Sequence, residues 1–238
     1  MRPVYIVGAG PGDPDLITVR GNDLLRSADV LVYTGSLVSP ALVARSPAAV
    51  KVNSHGMRLE DLVSLMEEHI RAGRTVVRLH SGDPSLFGAI VEQIAGLRAR
   101  GIDAMIVPGV SSMNAAAAAL QTQLTLKGVA EALIVARPAG KTLEADEIPA
   151  LSRHRATLVI FLGTERMEEV LARVECPPTT PAAVVYHASW PDQKIVTGTV
   201  ADVAGKARAA GITKTALLVI GGVVDPGSTE GRRSVLYS

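Results

Sequence analysis

Cysteine and aromatic residues are scarce. Cys176 is the one cysteine in 238 residues, so no intrachain disulfide can form and no thiolate cluster can hold a metal. A reducing compartment fits. Two Phe, four Tyr and one Trp leave few rings for the stacking platforms of single-strand nucleic-acid binders, and they make the core aliphatic. Long apolar runs are missing too. The longest, Ala115–Leu120 and Ala216–Val224, fall short of the roughly 18 residues of a membrane span, and the second is broken by Gly221 and Gly222. The apolar stretch after Pro3 is too short for a signal-peptide core, so a cytoplasmic location is expected. Charge of one sign is also lacking: 24 Lys and Arg face 23 Asp and Glu, a net +1. That excludes a global basic field, and with it a nucleic-acid backbone as the main partner. The five His (55, 69, 80, 154 and 187) show no metal-ligand spacing, so no metal is expected. No P-loop and no G-x-S-x-G elbow occurs.

What is present is an alternation of short apolar runs and helical periodicity. Length over roughly 150 residues per domain gives about 1.6, which allows one large or two small domains. Pro3–Val7 reads as a strand, Leu16–Ala28 as a helix, and Asp29–Tyr33 and Val50–Asn53 as strands. Leu59, Leu62, Val63, Met66 and Ile70 fall at helical spacing, so 59–71 is an amphipathic helix ended by Gly73. Thr75–Leu79 and Ala104–Val107 are further strands. Between them Phe87, Ile90, Val91, Ile94 and Leu97 mark a helix started by Asp83-Pro84-Ser85, and a helix runs from Ser111 to Leu120. This predicts an α/β domain over 1–120 with a mainly parallel sheet. The polar stretch 121–130 is expected to be a linker. A second α/β domain over 131–238 is expected to carry a mixed sheet, because strands at 182–186 and 194–197 follow one another across a short loop.

Three loops stand at the carboxyl ends of expected parallel strands, where open α/β sheets take ligands. The first is Gly8-Ala9-Gly10-Pro11-Gly12-Asp13-Pro14-Asp15. It fails as a dinucleotide fingerprint: Asp13 replaces the third Gly, Pro11 and Pro14 stiffen the turn, and the next strand ends in Tyr33-Thr34-Gly35 without a ribose-binding acid. A nicotinamide-dependent dehydrogenase is therefore a remote reading. The second is Ser81-Gly82-Asp83-Pro84-Ser85-Leu86, where Asp83 either accepts from a ligand hydroxyl or caps the helix. The third is Pro108-Gly109-Val110-Ser111-Ser112, with two serines that suit a helix cap or a ligand. In the second half, the loop from Tyr186 to Lys194 holds the only Trp, Trp190, in a polar setting.

Taken in this order, GAGPGDPDL at 8–16, SGDP at 81–84 and PGVSS at 108–112 resemble the tetrapyrrole (corrin/porphyrin) methylase family. YTGSLVS at 33–39, VRLHSGDPSLFGA at 77–89, Glu92-Gln93 and YHASWPDQKIV at 186–196 look most like the branch acting on carbon 11 of precorrin-4 in cobalamin synthesis. Relatives that methylate uroporphyrinogen III usually carry Gly-Gly-Asp-Pro followed by Phe-x-Phe-Gly-Arg, which this sequence lacks; that substrate and other precorrin positions are the neighbouring readings. The resemblance spans residues 3 to 226. It implies two α/β domains with a cofactor cleft between them, S-adenosyl-L-methionine as methyl donor, S-adenosyl-L-homocysteine as product, and a homodimer. It carries cofactor contacts onto Pro11, Ser81, Gly82, Asp83, Leu86, Ser111, Ser112, Leu162, Ala188 and Ala216. A macrocycle with many acetate and propionate arms asks for Arg and Lys around a trough, and Arg137 and Lys141 are the expected anchors. Asp13 is the candidate for orienting or deprotonating the macrocycle. No nucleic acid or membrane is expected as partner.

Overall fold

The computed structural model describes residues 2–140 and 143–225. The chain divides into two compact units between Ser112 and Met113. The helix read as closing the first half therefore lies with the second.

In the first unit, β-branched and apolar runs form β1 (Val4–Gly8), β2 (Val30–Tyr33), β3 (Val50–Asn53), β4 (Val76–His80) and β5 (Ala104–Val107). They make one sheet in the order β3-β2-β4-β1-β5, every pair parallel. The helices between them are α1 (Val19–Arg26), α2 (Pro40–Arg45), α3 (Leu59–Arg71) and α4 (Ile90–Arg98). Strand side chains alternate between two faces. Val7, Leu31, Val77 and Leu79 pack with Leu25 and Leu42 on one face; Val4, Val30, Val32 and Val76 pack with Leu62, Val63, Met66, Ile70 and Leu97 on the other. Both faces of the inner strands are covered, which is why β1 and β2 read as apolar runs, while the edge strands β3 and β5 leave side chains exposed.

The expected helix 59–71 forms over those residues, and Gly73 follows it at φ +76°. Two other helices start later than the periodicity suggests. Residues 14–16 form a 3-10 turn, and α1 begins only at Val19, because the Thr18 side chain accepts from Gly21 N and sets the cap there. Phe87 and Ala89 sit at φ +53° and +46°, which no helix admits, so α4 begins at Ile90 with Ala89 before it. Asp83 is thus not the cap of this helix. Helix α2, with Pro40 at its first turn, escaped the sequence reading because six residues show too little period.

The second unit opens with α5 (Ser112–Ala119) and continues β6 (Leu133–Ala136), α6 (Ile148–Leu151), β7 (Thr157–Ile160), α7 (Met167–Arg173), β8 (Pro181–Tyr186), β9 (Lys194–Thr199), α8 (Val203–Ala209) and β10 (Ala216–Ile220). The sheet order is β6-β7-β10-β8-β9. Only β6 and β7 are parallel; β10 runs antiparallel to both β7 and β8, and β8 to β9. The mixed sheet matches the expectation. Ile160, Val184, Leu218 and Ile220 pack with Ile148, Met167, Val170 and Val203 on one face. Ala115, Ala116 and Ala117 of α5 cover Val159, Ala183, Val185 and Val219 on the other, their small side chains bringing helix and sheet close.

One buried ion pair fixes the chain between β6 and α7. Asp146, its side chain 2% exposed, accepts from Arg173 Nη1 and Nη2 at 3.0 and 2.9 Å, from Ala139 N at 2.7 Å and from Ile148 N at 3.1 Å. Burial raises its carboxyl, but Arg173 and the two amides outweigh burial and hold it below the usual carboxylate range. A depressed folded value means stability present above the unfolded value and lost as pH falls through the folded one. Asp146→Ala is expected to cost about 1.5–3 kcal/mol in urea unfolding at pH 7. The gap from wild type should narrow below about pH 4, where the carboxyl begins to protonate in the unfolded chain. A gap independent of pH would contradict an ionic origin.

Candidate active site

Strands β1 and β4 are neighbours, yet the chain leaves them in opposite directions, from β1 towards β2 and from β4 towards β5. Their carboxyl ends are therefore the switch point of the sheet, where ligands bind in open α/β folds. The loops there are the ones singled out in the sequence, and their backbones are stitched together. Ala9 N donates to His80 O at 2.7 Å, Gly10 N to Gly82 O at 3.2 Å, and Gly82 N to Gly10 O at 2.8 Å. A Cβ on Gly8 would stand 2.5 Å from Gly109 Cα, and one on Gly109 only 2.2 Å from Gly82 O. The two glycines let three chain segments touch at backbone distance.

Asp83 is the tie that holds the third loop. Its Oδ2 accepts from Gly109 N at 2.8 Å, while Oδ1 accepts from Ser85 N at 2.8 Å and from the Ser85 hydroxyl. Burial raises the carboxyl, but the Ser85 hydroxyl and the two amides more than offset this and hold it below its ordinary range. His80 closes the base of the same loop. Nδ1 lies 2.8 Å from Ser81 O and Nε2 3.1 Å from Gly88 O, and burial pushes the imidazole down. Beneath it Arg78, 4% exposed, donates to Thr34 Oγ1 at 2.7 Å and to Gln93 Oε1 at 3.2 Å. Burial brings its guanidinium down to about 10. Gln93 Nε2 donates to Ala89 O at 3.1 Å and so braces the left-handed turn before α4. Sequence reading missed this Arg78–Gln93–Ala89 brace. An arginine inside an apolar strand was the available signal.

Of the expected cofactor contacts, Pro11, Ser81, Gly82, Asp83, Leu86, Ser111 and Ser112 belong to these loops. Pro11 and Ser111 are buried, and Ser81, Gly82 and Leu86 half-buried. A Cβ built on Gly82 would lie in ordinary contact, 3.8 Å from Ser111 Cα and Ser112 N, so the second and third loops run side by side there. Asp13 is half-buried and accepts from Asp15 N at 2.9 Å, a local turn.

In the second unit, β6, β7 and β8 end, and β10 begins, on one rim of the sheet. Arg137, Leu162, Ala188 and Ala216 all fall on it. Ala188 is buried, Arg137 half-buried, and Leu162 is 67% exposed. Thr164 Oγ1 donates to Ala216 O at 2.8 Å and lies 3.1 Å from Ala216 N, which pins the start of β10. Lys141 lies outside the described residues. Leu162, His187, Ser189 and Thr215 hold φ between +46° and +71° on this rim. With Phe87 and Ala89, six of the seven non-glycine left-handed residues described lie in the candidate loops. Strain of this kind costs of order 1–3 kcal/mol per residue and gathers at functional sites. Among the described residues no cluster of three or more His, Cys, Asp or Glu could hold a metal, and no helix is long and apolar enough to cross a membrane.

The model of the tetrapyrrole (corrin/porphyrin) methylases matches residues 3–204. This chain belongs to the tetrapyrrole methylase family. The chain is 46% identical to the cobalt-precorrin-4 C(11)-methyltransferase of Methanocaldococcus jannaschii over 94% of its own length and 89% of that protein's. The crystal structure of a cobalt precorrin-4 methyltransferase, a cobalamin biosynthetic enzyme, superposes with a TM-score of 0.90 at 43% identity, covering 94% of this chain and 96% of that one. The uroporphyrin-III C-methyltransferase of Thermus thermophilus, solved with S-adenosylhomocysteine, superposes with a TM-score of 0.81 at 31% identity, covering 94% and 99%. As a tetrapyrrole methylase the chain carries all three glycine-bearing loops inside the matched span; of the rim positions, Ala216 lies beyond it.

The backbone contact at Gly109 gives a direct test. Gly109→Ala should destabilise the chain by about 1–3 kcal/mol, since the new methyl meets main chain rather than a movable side chain. Urea unfolding beside Gly101→Ala, whose Cβ meets nothing within 4 Å but whose φ of +72° is strained, separates crowding from conformational strain.

Proposed function

We propose that the chain transfers a methyl group from S-adenosyl-L-methionine to ring carbon 11 of precorrin-4, or of its cobalt form, in cobalamin biosynthesis. The observation that carries the reading is similarity over nearly the whole chain to enzymes named for that reaction, together with the 0.90 TM-score to one of them. The cofactor follows from the family and from the relative solved with S-adenosylhomocysteine. When bound, S-adenosyl-L-methionine supplies a methyl already activated by its sulfonium.

What remains for the protein is placement. Holding two reactants in line is worth several kcal/mol of barrier, and it demands a rigid cradle. The stitched loops of the first unit fit that demand. Gly82, Ser81, Leu86, Pro11, Ser111 and Ser112 would offer backbone groups and small surfaces to the cofactor. Asp83 would contribute through its main chain, since its carboxylate already binds Gly109 and Ser85. Leu162, Ala188 and Ala216 would contribute from the second sheet. Arg137 and Lys141 would pair with carboxylate arms of the macrocycle, and Asp13 would orient it. A cytoplasmic homodimer belongs to the same reading, on the strength of the family resemblance.

Calorimetric titration with S-adenosyl-L-homocysteine should give micromolar affinity, about −8 kcal/mol, and titration with NAD none. With methyl-labelled donor and precorrin-4, NMR should place the new methyl on carbon 11. A methyl at another position would move the substrate within the family. Binding of NAD in place of S-adenosyl-L-homocysteine would overturn the reading.

A further inference from the structure

The turn from β8 to β9 carries a side-chain arrangement that the placement of cofactor and substrate does not use. His187 Nδ1 lies 3.0 Å from both Oδ1 and Oδ2 of Asp192. An ionised carboxylate only accepts, so Nδ1 carries a proton, and in the neutral ring the lone pair lies on Nε2. Among the described residues Nε2 has no hydrogen-bond partner. Two rings pack against it: Tyr186 stacks at 3.8 Å between centroids, and Trp190 stands tilted at 5.1 Å. The Asp192 carboxyl sits below the usual range, chiefly through its bond with His187. The backbone is held in an unusual conformation to present this ring. His187 has φ +46° and its N donates to the carbonyl of Thr215, at φ +56°. His187 precedes Ala188 and reaches across to the residue before Ala216, both on the rim proposed for the cofactor.

The geometry points to His187 Nε2 as the proton acceptor of the methyl transfer, with Asp192 as the residue that positions it. The inference rests on the methyltransferase reading above. A macrocycle whose ring carbon gains a methyl cation must shed a proton to return to its starting charge. The electron pair of the ring carbon forms the new carbon–carbon bond. The pair of the sulfur–methyl bond stays on sulfur, giving S-adenosyl-L-homocysteine. The proton lost from the macrocycle goes to Nε2, and from there to water, which reaches the ring because its side chain is 20% exposed and that of Asp192 58%. The titratable groups that the structure sets against the imidazole are Asp192 and Tyr186, and Asp192 is the one ionised near neutrality.

The test exploits the backbone. At φ +46° glycine is at ease, so His187→Gly removes the ring and leaves the turn its conformation. Turnover of precorrin-4 should fall by about a hundredfold or more, the usual worth of a positioned acid or base. Affinity for S-adenosyl-L-homocysteine should stay within about threefold, and added imidazole should restore part of the rate in proportion to its free base. His187→Gln, which keeps a polar side chain but no proton-accepting ring nitrogen, should lose turnover to the same extent. Asp192→Asn should lower kcat with little change in KM. Turnover of His187→Gly near wild type would overturn the inference. So would a loss that imidazole does not restore, or one that follows lost affinity for S-adenosyl-L-homocysteine. Failure of the wild-type chain itself to bind S-adenosyl-L-homocysteine would strike the methyltransferase reading instead.

Discussion

The first unit depends on main chain touching main chain. Where Gly8, Gly82 and Gly109 meet, there is no volume for a Cβ on Gly8 or Gly109. Side chains can tie loops together loosely, because each tie adds rotatable bonds. Backbone contact adds none. The carboxyl ends of β1, β4 and β5 are thereby held against one another by main chain as well as by the sheet. Asp83 adds a side-chain link between the second and third loops. It gives both its oxygens to loop amides and the Ser85 hydroxyl, so one carboxylate orders its own loop and ties it to the next.

A rigid cradle has a cost, and the left-handed residues show where it falls. Phe87 and Ala89 bend the chain out of β4's loop before α4 can begin; Leu162, His187, Ser189 and Thr215 bend it at the rim of the second sheet. Thr215 is β-branched, the kind of residue that resists this conformation most. Such turns persist only where the surroundings over-determine them. The surroundings are visible: Gln93 on Ala89 O, Thr164 on both backbone groups of Ala216, and Thr215 O on His187 N. The core strands pay for the strain, since both sheets are covered on both faces by aliphatic side chains.

Most of the fold was legible because buried parallel strands and amphipathic helices write their period into the sequence. Helix 59–71 needed only Leu59, Leu62, Val63, Met66 and Ile70. The starts of α1 and α4 were not legible, since a cap at Thr18 and a left-handed Ala89 are local conformations that override an apolar pattern running through them. The positions of the three loops followed from glycine and proline placement. Their mutual contact did not, because nothing in Gly109 by itself says that Gly82 O will lie against it. Asp83 read equally well as a cap; the late start of α4 and its 2.8 Å bond to Gly109, 26 positions away, decide otherwise. The pairing of His187 was not legible, since its carboxylate partner lies five residues on, a spacing that neither helix nor strand period would bring together.

The division of chemistry between loops and rim follows from charge. A sulfonium needs no activation, so the cradle for it can be made of glycine, serine and proline, and a titrating side chain there would add only desolvation to overcome. Asp83 and His80, the two titratable groups in the central loop, are accordingly spent on backbone partners. A proton acceptor has the opposite requirement: it must keep a lone pair, an ionised neighbour to steady the charge it gains, and a path to water. His187 has all three, with Nδ1 occupied, Asp192 beside it and solvent at the ring edge. The same sequence segment that marks the family branch, Tyr186 to Val196, thus has a physical reason to carry Tyr, His and Asp together, because Tyr186 stacks on the ring of His187 and Asp192 holds its Nδ1.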